Sequence, residues 1–68
     1  MLNAALLTAK VEESGITITA LASKCGMTRE SYYNKLAGES EFKASEIQAL
    51  TKVLRLTRAE RDAIFFDD

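Results

Sequence analysis

The sequence has no proline and no histidine, three glycines and a single cysteine. Without proline, nothing in it is obliged to break a helix. Without histidine, and with Cys25 alone, a metal site has only carboxylates to draw on, and no carboxylate spacing resembles a calcium or magnesium loop. No metal and no cofactor are expected. One cysteine forms no internal disulfide. No apolar run approaches membrane-spanning length, and no charged, apolar, small-residue leader opens the chain. A soluble, intracellular protein with no membrane partner is expected. There is also no nucleophile paired with a base, no phosphate-cradling glycine loop and no catalytic carboxylate pair. Neither an enzyme nor a small-molecule binding protein is expected.

What remains is a globular balance, 47% hydrophobic and 28% charged, in 68 residues. That length holds one domain, 1–68, with one small core. The net charge of −1 runs against an independent nucleic-acid binder, which is usually basic because lysine and arginine must replace the counterions around phosphate. The charge is unevenly spread. Between Leu21 and Ser45, Lys24, Arg29, Lys35 and Lys43 face Glu30, Glu39 and Glu41, whereas acids outnumber bases in the remainder, which ends in Asp67 and Asp68.

Gly15, Gly26 and Gly38 punctuate a series of short helices. Leu2, Leu6, Leu7 and Val11 fall on one face of a first helix that stops at Ser14 and Gly15. Thr17 caps a second, whose Ile18, Leu21, Ala22 and Cys25 share a buried face up to Gly26. Thr28 then caps a third, running to about Ala37 or Gly38. So short a turn, with a glycine in it, makes two helices cross steeply and leaves the second protruding, which is the geometry of a helix-turn-helix. A fourth helix fits Ala44 to Leu54, with Ile47, Leu50, Val53 and Leu54 inward and Phe42 plugging the core ahead of it. The fifth opens on a capping box, Thr57-Arg58-Ala59-Glu60, and ends at Ile64-Phe65-Phe66. The expected fold is all-α, a compact five-helix bundle.

The run Gly15-Ile16-Thr17, Leu21-Ala22, Cys25-Gly26-Met27-Thr28-Arg29-Glu30-Ser31-Tyr32, Lys35-Leu36-Ala37-Gly38, then Phe42 and Glu46-Ile47, resembles the lambdoid phage repressor and Cro-like helix-turn-helix family. It is most similar to short phage-encoded members. The resemblance implies a lambda-repressor-like bundle whose helices 2 and 3 form the motif, with the third helix in the major groove of operator DNA. It further implies a symmetric dimer on paired half-sites, acting in the cytoplasm of a bacterial host on the lysogenic switch.

Carried across by position, the resemblance puts Arg29 and Glu30 at the exposed start of the recognition helix, Asn34 one turn on, and Tyr33 between them. Their chemistry suits base edges: arginine donates twice to guanine, asparagine pairs with adenine, and glutamate accepts from cytosine. The family's phosphate contacts fall on Thr17, Thr19, Thr28, Lys35 and Lys43. For Thr17 a pure capping role competes. Glu30, Ala37 and Glu39 depart from the family's commoner amides, hydroxyls and cations, and each departure weakens the pull on phosphate.

Cys25 and Tyr32 belong to the core in this reading, the cysteine as a small hydrophobe and the tyrosine with its hydroxyl emerging at an edge. Arg55, Arg58 and Arg61 interleave with Glu60 and Asp62, as a solvated, internally paired face would. Ile64, Phe65 and Phe66 cannot all point inward, because successive helical positions turn by about 100°. They are candidates for a dimer interface, with folding back onto Leu2 and Leu6 as the alternative. Three functions remain open at this point: an operator-binding regulator, an interaction module or antirepressor that keeps the fold, and an excisionase-like architectural protein.

Overall fold

The computed structural model describes residues 1–66, so the acidic end at Asp67 and Asp68 lies outside the described residues. Five helices follow one another, α1 (Ala4–Ser14), α2 (Ile18–Lys24), α3 (Arg29–Leu36), α4 (Ala44–Val53) and α5 (Arg58–Phe65). Among the described residues there is no strand.

Local chemistry starts α2, α3 and α5 where the sequence indicates. Thr17, Thr28 and Thr57 each take extended backbone and accept, through the side-chain oxygen, the N–H three residues on, at 3.0–3.1 Å. The Asn3 side chain caps α1, accepting from the Leu6 N–H at 3.0 Å. Glu60 completes the capping box on α5 by accepting the Thr57 N–H at 2.8 Å.

The helix ends are set as locally. After α3, Gly38 turns left-handed at φ 88°, and the Glu39 N–H reaches back to the Asn34 carbonyl at 2.9 Å. The end of α4 has the same geometry with Arg55 in place of glycine, at φ 55°, and the Leu56 N–H bonded to the Thr51 carbonyl at 2.9 Å. A side chain in that region costs about 1–2 kcal/mol.

Leu7, Val11, Leu21, Ala22, Tyr32, Leu50, Leu56 and Ile64 form the buried core, drawn from every helix and from the α4–α5 turn. Phe42 bridges it edge to face, 5.9 Å from the Tyr32 ring and 5.6 Å from Phe65. The start of α1 meets α5 where the Asn3 N–H donates to the Ile64 carbonyl at 2.7 Å.

Three expectations are corrected. Ile64 is fully buried and is core rather than interface; Phe65 is half-buried against Phe42, and only Phe66 is exposed, at 57%. The Tyr32 hydroxyl does not emerge at an edge: α3 aims the ring straight into the core, and the oxygen is buried with no hydrogen-bond partner. The arginine-rich face is solvated and keeps one of the internal pairs its interleaving suggests, but Glu60 leaves it. Glu60 turns instead to Lys10 on α1, at 2.5 Å, because α5 packs beside that helix; Arg61 pairs with its neighbour Asp62 at 2.8 Å, while Arg55 and Arg58 stay exposed.

Candidate nucleic-acid interface

Four residues, Cys25 to Thr28, separate α2 from α3. Cys25 caps α2, Gly26 reverses the chain at φ 76°, and the Met27 N–H returns to the Ala22 carbonyl at 3.0 Å. Thr28 then opens α3. With Leu21, Ala22 and Tyr32 holding the two helices to the core, the opposite face of α3 is left to solvent.

That face carries Arg29, Glu30, Tyr33 and Asn34, all exposed. Positions three and four apart share one side of a helix, so these four form a single surface. The Arg29 guanidinium carbon lies 5.1 Å from the centre of the Tyr33 ring. Thr17, Thr19, Thr28 and Lys43 are exposed around it. The two threonines that cap helices accept with their oxygens, and their hydroxyl hydrogens stay available to a phosphate. Between α2, the turn and the start of α4 lies an open polar cleft of 580 Å³, lined among others by Thr19, Thr28, Arg29, Lys43 and Glu46.

Lys35 is not where a phosphate contact belongs. It faces inward from the last turn of α3, 8% exposed, and its ammonium donates to both oxygens of Glu46 at 2.7 and 2.6 Å. Its charge is already neutralised. Glu46 is itself 7% exposed and also accepts the Lys43 N–H at 2.8 Å. Burial works against the carboxylate, but the hydrogen bonds from Lys35 and Lys43 and the charges of both lysines outweigh it and hold its pKa below the ordinary 4.5.

Glu46 is a residue that sequence reasoning misses. Its signal was present: a glutamate three residues after the start of a helix reads as the returning half of a capping box. What the spacing does not disclose is the second bond, to Lys35.

Cys25 is half-buried, and its thiol pKa is pushed up first by burial and then by the negative charge of Glu46. It has the character of a packing residue rather than a nucleophile. Burial, with smaller contributions from Cys25 and Tyr33, pushes Tyr32 up to about 12. Among the described residues no cluster of acids or cysteine has the makings of a metal site, and no helix is long and apolar enough to cross a membrane.

No curated protein and no solved structure matches the chain. The model of the helix-turn-helix domain matches residues 4–64, from the first residue of α1 into the last turn of α5. With five helices in a small bundle and a four-residue turn between the second and third, the chain belongs to the helix-turn-helix domain family, a family of DNA-binding domains.

Proposed function

We propose that this protein is a sequence-specific transcriptional regulator of phage or prophage type, Cro-like or a small repressor, which occupies operator DNA and sterically excludes polymerase. The observation that carries the reading is the exposed row Arg29, Glu30, Tyr33 and Asn34 on α3, across a four-residue turn from α2. In this reading α3 enters the major groove. Arg29 and Asn34 read guanine and adenine, Glu30 accepts from cytosine, and Tyr33 packs beside Arg29. Thr17, Thr19, Thr28 and Lys43 touch the backbone and fix the register. Lys35 drops out of the phosphate set because its charge is spent on Glu46.

The regulator acts as a homodimer, at least on DNA. A molecule measuring 26 × 25 × 20 Å is narrow enough for two copies to occupy half-sites one turn of B-DNA apart, about 34 Å. Phe66 is the exposed apolar residue best placed to join them. It borders an open groove of 750 Å³ lined also by Leu2, Leu36, Phe42, Ile47 and Phe65. The same exposed phenylalanine favours the second reading, an interaction module or antirepressor with little DNA affinity.

Selection of bound sites from a randomised duplex pool tests both readings. Enrichment of a palindrome with half-sites one turn apart is the expected result. A pool that stays random after several rounds at low salt overturns the regulator in favour of the interaction module.

A further inference from the structure

Glu46 does more than begin a helix. It is the third residue of α4, and its Oε1 accepts from two donors at once, the Lys35 ammonium at 2.7 Å and the Lys43 N–H at 2.8 Å, while Oε2 accepts from Lys35 at 2.6 Å. Lys35 stands on the last turn of α3 and Lys43 just ahead of α4. One carboxylate therefore fastens the end of the candidate recognition helix to the start of the next helix, across the connection that runs through Gly38. Both side chains are 9% exposed, so water competes little for these bonds.

The same pair decides how much charge the polar cleft presents. Lys35 and Glu46 both border it, together with Arg29 and Lys43. With Glu46 ionised, Lys35 adds nothing to the attraction for phosphate. Without that carboxylate, a flexible four-carbon side chain at the cleft edge is free to carry its ammonium outward. Each added phosphate contact strengthens binding to every duplex alike and steepens its salt dependence by about 0.9. Specificity is the ratio of cognate to nonspecific affinity, so a contact made to every duplex alike leaves it unchanged, and only the seating of α3 against the bases moves it.

We propose that Glu46 is a positioning residue for DNA recognition: by clamping Lys35 and the Lys43 backbone together it fixes α3 relative to the backbone-contacting end of α4, and it withholds the Lys35 charge from phosphate. This rests on the DNA-binding reading above and concerns how discrimination is achieved within it.

The test is Glu46→Gln, which keeps an oxygen for the Lys43 N–H but removes the charge that holds Lys35. Fluorescence anisotropy on a selected site and on a random duplex, across a salt series and below the melting temperature, reads the outcome. The variant is expected to bind the random duplex more tightly. Its salt dependence should be steeper by about 0.9. Its cognate-to-random ratio should fall about tenfold, within what one base contact supplies. A purely structural Glu46 would lower the melting temperature and leave both slope and ratio at wild-type values, and that result overturns the proposal. Should Glu46→Gln not fold, Lys35→Met/Glu46→Gln removes both charges; its ratio is expected to fall with the slope unchanged, and an unchanged ratio overturns the clamp. Wild-type protein that shows no salt-sensitive retention of any duplex overturns the DNA-binding reading itself, whereas wild-type binding beside an unaltered variant overturns the positioning role alone.

Discussion

The guanidinium of Arg29 lies over the ring of Tyr33, 5.1 Å from its centre and one helical turn further along α3. A cation held on an aromatic face loses less freedom when it engages a base than one that swings in solvent, and such contacts are worth about 0.5–1 kcal/mol at exposed sites. Arg29→Ala is expected to cost about 1–3 kcal/mol on the selected site and to relax preference at one base pair. Tyr33→Leu, which keeps bulk but removes the ring's charge distribution, should cost about threefold through Arg29 alone. Anisotropy titrations against the selected duplex and its single-base variants check both, and a double variant no worse than Arg29→Ala would locate the Tyr33 effect in the stacking.

Lys35→Met strands a buried carboxylate. Losing one partner of such a pair costs about 3–5 kcal/mol, much of the roughly 5 kcal/mol that a chain this small has to spare. The variant should be largely unfolded at neutral pH and recover when Glu46 is also neutralised, as urea titration followed by circular dichroism will show. The pair also makes wild-type stability depend on acid. Because the folded Glu46 pKa lies below 4.5, the unfolded chain binds its proton first. The contribution is complete above that ordinary value and is lost as pH falls through the lower, folded one. Glu60 moves in the same direction, held down first by its hydrogen bond from Lys10 and then by the Thr57 N–H. Glu46→Gln should flatten part of the acid limb, and Lys10→Met a smaller, separate part.

Tyr32 offers the opposite case, a group better removed. Its oxygen is buried and unpartnered, and leaving such a group unsatisfied costs about 1–3 kcal/mol. Tyr32→Phe keeps the ring against Phe42 and is expected to gain about 1 kcal/mol, raising the melting temperature by about 4–8 °C. In the wild type the folded hydroxyl titrates at about 12 against an ordinary 10.0. The folded state thus holds its proton longer, and stability falls as pH rises between those values. Thermal melts in that range should decline for wild type and decline less for Tyr32→Phe.

These cases separate what was legible in the sequence from what was not. The caps at Thr17, Thr28 and Thr57 are local, each side chain answering an N–H three residues away, so spacing alone reveals them. The exposed row on α3 is legible for the same reason, since helical periodicity fixes which positions share a side. The burial of Lys35 is not legible, because its environment is decided by Glu46, eleven residues on and on another helix. A lysine near a recognition helix reads as a phosphate contact until the packing partner is seen. Glu60 likewise reads as a partner of the neighbouring arginines, while its actual partner Lys10 is brought in by the meeting of α1 and α5. Local rules located the helices; ion pairs between helices needed the fold.

Arg55 tests a backbone rule directly. It ends α4 in the left-handed region at φ 55°, where side chains are strained by about 1–2 kcal/mol. Part of that is returned by the lower entropy of a non-glycine unfolded chain, about 0.4–1 kcal/mol. Arg55→Gly is therefore expected to stabilise by up to about 1.5 kcal/mol. Urea midpoints shifted downward would mean that the arginine side chain compensates for its own strain.

Phe66 bears on how the protein assembles. Ile64 is sealed in the core and cannot join copies without unfolding α5, while Phe65 is half-buried against Phe42 and offers only part of its ring. Phe66 can join copies, because its ring is 57% exposed, stands 5.8 Å from the Arg61 guanidinium carbon and borders the groove beside Leu2 and Ile47. Burying such a ring in a second copy is worth about 1.5–3 kcal/mol per side, and twofold symmetry counts it twice. Phe66→Asp is expected to keep the melting temperature within a few degrees, since the ring contributes little to the core, and to abolish self-association in sedimentation runs. On a selected palindrome the variant should bind each half-site independently, whereas wild type fills both together. Cooperative filling by Phe66→Asp would place the contact between copies elsewhere on the surface, and monomeric wild type with and without the palindrome would remove the dimer altogether.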